Sequence, residues 1–224
     1  MINSVEIDYY SKYLKYKNKY NVLKKSMVND NESIIIKLFE ENKKFVKIDE
    51  NTNKLFQDKK YALTYGELTV DGFKSIMKKL KELNFMGPMV LADLGSGMGK
   101  IPIMAVHYGH ANKAVGIELA KERHNTAINM KSKLPQEYQD KLTFIKGDLL
   151  KDINLSQFNV IFISNLCFNE KINNELEHKL KELKIGTFIF CSKKIKAPYL
   201  KQLGSIKVKM TWAQNSDLKI YQRI

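Results

Sequence analysis

Met89-Val90-Leu91-Ala92-Asp93-Leu94-Gly95-Ser96-Gly97-Met98-Gly99-Lys100 is the stretch on which the fold of this 224-residue chain turns. Met89–Leu94 reads as an apolar strand that runs straight into a glycine-rich turn. Glycines there let the backbone bend tightly and let a ligand approach the main chain. The N-terminus of the helix that follows offers free N–H groups to such a ligand. The dinucleotide fingerprint needs a third glycine where Lys100 stands, so it is broken. The Walker phosphate loop is absent too, because no Gly-Lys-Ser/Thr follows at the required distance. An acidic residue just before the first glycine suits a cofactor with an amino-acid moiety, whose ammonium needs a negative partner.

Downstream, strands and helices alternate. Lys100–Tyr108 is expected to be helical, Lys113–Ile117 a strand, Ala120–Lys133 a helix, Leu142–Lys146 a strand and Asn159–Ser164 a strand. Lys171–Leu183 reads as a helix and Thr187–Ser192 as a strand. Two β-rich stretches, Ser205–Trp212 and Leu218–Ile224, close the chain around a turn at Gln214-Asn215-Ser216-Asp217. The pattern predicts an α/β fold whose mostly parallel sheet is covered on both faces, with a C-terminal hairpin as an antiparallel edge.

Upstream, residues 1–60 are expected to form a basic helical N-terminal segment, and residues 61–224 the main domain. Tyr9, Tyr13, Tyr16, Tyr20 and Leu23 recur at steps of three or four, which puts them on one helix face. Lys12, Lys15, Lys17, Lys19, Lys24 and Lys25 fill the rest of that surface. A second helix is expected from Glu32 to Val46, and the polar run Asp49–Lys60 as a linker.

Two further carboxylates join Asp93. Glu118 ends the second strand, where a carboxylate can accept both hydroxyls of a ribose. Asp148, in Gly147-Asp148-Leu149, ends the third; there an aspartate can hold an adenine amino group while Leu149 packs on the ring. Taken singly, each is better explained as a helix cap. Three at consecutive strand ends, in register with the glycine loop, point to one crevice at the carboxyl edge of the sheet.

The net charge of +14 and pI of about 9.5 favour polyanionic partners. The longest apolar runs, such as Val160-Ile161-Phe162-Ile163, are strand-length, so no membrane association is expected. Glu6 and Asp8 near the start argue against a secretory leader. Cys167 and Cys191 both sit in apolar segments and are expected as reduced, buried thiols; no Cys/His spacing suggests a metal site.

The constellation resembles the class I methyltransferases that use S-adenosylmethionine (SAM). Within them it resembles the Dot-one class (disruptor of telomeric silencing) of histone H3 lysine methyltransferases, which have a Rossmann-like fold and no SET domain. The resemblance covers residues 61–224. It rests on Tyr65-Gly66-Glu67-Leu68-Thr69, on Leu91–Lys100, on Gly116-Ile117-Glu118 and on Val160-Ile161-Phe162-Ile163-Ser164-Asn165-Leu166-Cys167-Phe168. It continues through Leu180–Gly186, Ser192-Lys193 and Thr211-Trp212. The Tyr-Gly-Glu loop and the Val-Ile-Phe-x-x-Asn-x-x-Phe segment are its most specific parts.

The resemblance implies a SAM-dependent lysine N-methyltransferase acting on histone H3 in nucleosomes. Tyr65, Gly66, Glu67 and Leu68 would close over SAM. Asp93, Gly95, Gly97 and Lys100 would line its methionine side, Glu118 its ribose, and Asp148 with Leu149 its adenine. Ser164 and Asn165 would orient the acceptor lysine beside the methyl group, with Phe168 and Trp212 as channel walls, and Tyr221 would serve as the acceptor-channel tyrosine if the hairpin shifts register. The family has two asparagines where this chain has Ser164-Asn165, and its animal members have threonine where Leu68 stands. The basic N-terminal helices would hold nucleosomal DNA through its phosphates. A monomer acting in the nucleus is expected, or in a viral factory or host cytoplasm, since the Tyr/Lys opening resembles the starts of giant-virus proteins.

Two other readings fit the same fold. A nucleic-acid methyltransferase commonly carries an Asp/Asn-Pro-Pro-aromatic element after the fourth strand, and Ser164-Asn165-Leu166-Cys167 lacks both prolines. A non-catalytic nucleosome- or RNA-binding module would not need the three cofactor carboxylates.

Overall fold

The computed structural model describes residues 15–19, 32–42, 47–59 and 66–224. By its contacts the chain divides into two compact units, Met1–Lys44 and Phe45–Ile224. In the first, residues 15–19 and 32–41 are helical. Ile35, Leu38 and Phe39 are buried there at the three- and four-residue spacing of one helix face. Tyr16 is exposed. Tyr9, Tyr13, Tyr20, Leu23 and the expected helix end at Val46 lie outside the described residues.

The second unit is built on one seven-stranded sheet. Its strands are β1 (Met89–Leu94), β2 (Ala111–Glu118), β3 (Leu142–Lys146), β4 (Val160–Ile163), β5 (Phe188–Cys191), β6 (Leu200–Val208) and β7 (Ser216–Arg223). The order across the sheet is β3-β2-β1-β4-β5-β7-β6. The first five strands are mutually parallel, and β7 runs antiparallel to both neighbours. Its helices are α1 (Glu50–Asp58), α2 (Val70–Glu82), α3 (Lys100–His107), α4 (Lys121–Ser132), α5 (Gln136–Gln139) and α6 (Glu170–Lys179).

The chain runs outward from β1 through β2 to β3, then crosses back to place β4 on the other side of β1. A crevice therefore opens where the carboxyl ends of β1 and β4 diverge, the usual ligand position in such sheets. One face of the sheet buries Leu94, Ile117, Ile161, Ile163, Ile189 and Tyr221 against Leu176 and Leu180. Each aliphatic side chain so buried contributes roughly 1.5–3 kcal/mol. Asn159 fixes the far edge: its Oδ1 accepts from Val90 N at 2.8 Å and its Nδ2 donates to the Pro88 carbonyl at 2.8 Å.

One expectation is corrected. Asp49–Lys60 is not a linker. Asp49 caps α1 by accepting from Thr52 N at 2.7 Å, and Thr52 and Phe56, four apart, are buried. This helix belongs to the second unit, which begins at Phe45. The terminal hairpin adds the expected antiparallel edge beyond β5, with β7 beside β5 and β6 outermost. Leu218, Ile220 and Tyr221 are buried as a central strand requires, whereas β6 exposes Lys201 and Lys207, as edge strands do.

Tyr221 is packed in the core of the sheet. It pairs with Ile189 on β5, is 2% exposed, and its hydroxyl accepts from Ile195 N at 3.1 Å. Tyr221→Phe leaves that buried N–H without an acceptor. It is expected to lower the unfolding free energy by about 1–2 kcal/mol in urea titrations; an unchanged midpoint would mean the bond contributes nothing.

Candidate functional site

The crevice holds a cavity of about 310 Å³, lined by residues that follow β1, β2, β3 and β4 together with Phe56, Gly66 and Trp212. A narrow extension beside it is lined by Glu67, Leu68, Asp93, Ser96 and Lys100. Gly66, Gly95 and Ser164 border both parts, so they mark the junction.

The glycine loop is tied to β2. Gly95 N and Ser96 N both donate to the Ile117 carbonyl, at 3.0 and 2.9 Å. Gly99 has φ +79°, and a Cβ there would lie 2.5 Å from the Phe144 ring, so both conformation and space demand glycine. Glu118 joins this loop to its neighbours. Its Oε2 accepts from Gly97 N and its Oε1 from Ala120 N, each at 2.8 Å. Its carbonyl accepts from Gly147 N, at the end of β3, at 3.0 Å. Burial pushes the Glu118 carboxyl up; the two N–H bonds and the nearby Arg123 guanidinium oppose that rise. Each carboxylate oxygen keeps a further lone pair for a ligand on the cavity side.

Asp93 differs. It is 3% exposed and borders the extension, and its carboxylate makes no hydrogen bond or ion pair among the described residues. Burial, reinforced by the Glu118 charge, holds its carboxyl well above the ordinary range. Ser96 Oγ, in the same loop, is also buried without a partner. Lys100 forms an ion pair with Glu67, both side chains about 10% exposed, which ties the start of α3 to the Gly66–Thr69 segment.

That segment is held against the end of β6. Thr211 N donates to the Glu67 carbonyl at 2.8 Å, Glu67 N to Thr211 Oγ1 at 3.1 Å, and Leu68 bridges to Met210. The Trp212 ring consequently covers Gly66: a Cβ on Gly66 would lie 1.9 Å from it. Tyr65 lies outside the described residues.

Of the expected site residues, Gly66, Glu67, Leu68, Asp93, Gly95, Lys100, Glu118, Leu149 and Ser164 come together around this cleft, and Gly97 supports it through Glu118. Phe168 and Trp212 line its wide part. Two others do not reach it. Asn165 is fully buried and borders neither part. Its Nδ2 donates to Asn173 Oδ1 at 2.9 Å and its Oδ1 accepts from Lys193 N at 2.8 Å, so its amide braces β4 against α6 and the exit of β5. Asp148 also borders neither part; its Oδ2 receives Lys59 Nζ at 2.8 Å and its Oδ1 receives Leu150 N at 3.1 Å. Both placements have one cause: a polar side chain turns toward the nearest strong partner, here Asn173 and Lys193 for Asn165 and Lys59 for Asp148.

Phe56, Leu119, Arg123, Leu166 and Ile172 line the cavity and were not anticipated. The available signal was Asp49 three residues before Thr52, a helix start, with Leu55-Phe56 as the apolar pair. Cys167 also lines the cavity, half-buried rather than enclosed; Cys191 is buried, and burial pushes its thiol up to about 12.

The family described as "Histone methylation protein DOT1" matches residues 43–222. A protein named "Histone-lysine N-methyltransferase, H3 lysine-79 specific" from Caenorhabditis elegans is 32% identical over 169 residues, 69% of this chain. A protein of the same name from Kluyveromyces lactis is 28% identical over 156 residues, 62% of this chain. The chain spans only 16% and 27% of these two relatives. Among solved structures, a magnesium protoporphyrin IX methyltransferase from Synechocystis with bound SAM shares the fold at TM-score 0.54 and 12% identity, over 68% of this chain and 78% of that one. A putative Escherichia coli methyltransferase, yhhF, does so at TM-score 0.55 and 16% identity, over 69% and 85%. The match to residues 43–222 takes in every strand and helix that borders the cleft, and on that ground the chain belongs to the DOT1 family of histone methylation proteins.

Proposed function

We propose that this protein transfers a methyl group from SAM to a lysine side chain of histone H3 presented on a nucleosome. The observation that carries the reading is the convergence of Asp93, Glu118 and Ser164 on one cleft, in a chain of this family. The residues fit the cofactor. Asp93 is a buried carboxylate in need of a cation beside the glycine loop, which an amino-acid ammonium supplies. Glu118 presents spare lone pairs to a ribose. Leu119, Leu149 and Phe56 give the apolar surface a purine requires. When bound, SAM supplies an electrophilic methyl group on a sulfonium.

The chain's own residues then position and dry the acceptor. Ser164 sits at the junction of the two parts of the cleft, where its hydroxyl can hold an amine by one hydrogen bond. A lysine ammonium has a pKa near 10.4 in water and must lose its proton before it can attack. Trp212, Phe168 and Leu166 present an apolar wall that disfavours the charged form. Catalysis on this reading comes mainly from holding the reactants in line. Asn165 acts indirectly, by fixing the segment that carries Ser164 and Phe168. Between Tyr9 and Lys25 the chain has six lysines and no acidic residue, which suits contact with nucleosomal DNA phosphates.

Three outcomes test this reading. Incubated with labelled SAM and, separately, nucleosomes, free histones, DNA and RNA, the protein should label nucleosomal H3; label on nucleic acid alone would overturn the proposal. Glu118→Ala should weaken binding of S-adenosylhomocysteine (SAH) by roughly a hundredfold in calorimetry, the loss of charge-assisted bonds to two hydroxyls; unchanged affinity would remove the ribose assignment. Asp93→Asn should lose SAH binding yet stabilise the ligand-free protein at pH 7. Because its carboxyl is raised on folding, the native state holds a proton that the unfolded chain releases near pH 4, so wild-type stability falls as pH rises above that value. The advantage of Asp93→Asn should shrink toward pH 4, and a constant difference across pH would contradict the burial argument.

A further inference from the structure

α1 lies against the nucleoside end of the cleft and is held at both ends by charged groups. At its start, Glu122 Oε1 accepts from Asp49 N at 3.2 Å and from Thr52 Oγ1 at 3.0 Å. At its end, Lys59 Nζ meets Asp148 Oδ2 at 2.8 Å. Between these anchors Phe56 reaches the cavity wall. We propose that Lys59 is a positioning residue for the cofactor: its ion pair with Asp148 latches α1 across the end of the cleft, so that Phe56 and Leu149 form facing walls of the base pocket. The inference rests on the SAM reading above and deepens it.

A nine-residue helix has little stability of its own in water, so its place depends on what pins it. The turn carrying Asp148 is separately fixed: Asp148 N donates to Asp152 Oδ2 at 2.7 Å, and Lys151 N and Asp152 N donate to the Asp148 carbonyl at 2.9 and 2.8 Å. The ion pair therefore restrains α1 against a firm support. Phe56 is three residues before Lys59, on the same side of the helix, and Leu149 directly follows Asp148. One contact thus joins the two backbone segments that carry the apolar walls, and sets the gap between them.

An ordinary surface ion pair would be too weak for this role. Here the Asp148 side chain is 6% exposed and the Lys59 side chain 30%. A carboxylate buried to that degree has a strong demand for a cation. The arrangement also gives Asp148 a role that needs no contact with the base, consistent with its position outside the cavity lining.

The test uses the full chain and SAH. Lys59→Met is expected to raise the SAH dissociation constant about tenfold, through faster release in stopped-flow, because Phe56 is no longer held. Lys59→Arg, which keeps the charge, should restore the wild-type value to within about threefold. Raising salt from about 50 to about 500 mM should speed release from the wild type but not from Lys59→Met. Hydrogen exchange without ligand should show lower protection of residues 50–58 in Lys59→Met, an effect that does not depend on the cofactor. If the wild type binds SAH and Lys59→Met binds and releases it identically, the latch is refuted while the SAM reading stands. If the wild type binds no SAH, the SAM reading falls and takes this inference with it. Should Lys59→Met fail to fold, the salt series on the wild type decides: salt-insensitive release refutes the latch.

Discussion

The cleft depends on the Glu118 carboxylate. It draws the glycine loop and its own connection into α4 toward itself, and its backbone carbonyl holds the turn after β3. Three loops from three strands are thus set by one residue. A buried carboxylate is costly to keep charged, and the two N–H donors with Arg123 offset that cost. The same donors occupy only part of its accepting capacity, so the residue that builds the cleft can also face a ligand within it. A capping role and the proposed ligand role, alternatives when the sequence is considered alone, are thus compatible in one side chain.

Asp93 shows the opposite arrangement one strand away. It has comparable burial but no donor among the described residues, and the neighbouring Glu118 charge makes its ionised form less favourable still. Such a group is a destabilising feature of the ligand-free fold, of the kind that persists where function requires it. The pair divides the work: Glu118 is satisfied by the protein and fixes shape, while Asp93 is left for what the protein itself does not supply. The Lys100–Glu67 ion pair follows the first pattern, uniting the segment beside Trp212 with the start of α3.

What the sequence made legible follows from how local each signal is. Met89–Leu94 begins and ends as its apolar run predicts, since a strand buried on a parallel sheet is specified by its own residues. The clustering of Asp93, Gly95, Glu118 and Ser164 follows from strand order, which alternating elements predict. The directions of Asn165, Asp148 and Tyr221 do not. They are set by Asn173 and Lys193, by Lys59, and by Ile195, partners 8 to 89 positions away whose approach exists only in the folded chain. α1 was hidden for another reason. Its composition is polar apart from Leu55 and Phe56, and one capping aspartate with one buried phenylalanine is a weak signal until the helix has a cleft to cover. The place of β7 inside the sheet is likewise a matter of which strand is buried on both faces.

The proposed acceptor side follows from the same logic of partners. With the Asn165 amide committed to α6 and the exit of β5, position 164 alone faces the junction of the cleft. A serine there offers one short hydroxyl where the family has a longer amide, so it can orient an amine but adds little electrostatic stabilisation. The remaining influence on a lysine comes from Trp212, Phe168 and Leu166, none of which can hydrogen-bond to it in this geometry except through the indole N–H, a donor that an approaching amine lone pair could meet. An apolar wall lowers the proton affinity of an amine by withholding water, and needs no base of its own. Trp212 is itself held over Gly66 by the pairing of Glu67 with Thr211. The segment that pairs with the glycine-loop helix through Glu67 therefore also fixes Trp212, the main part of the proposed acceptor wall.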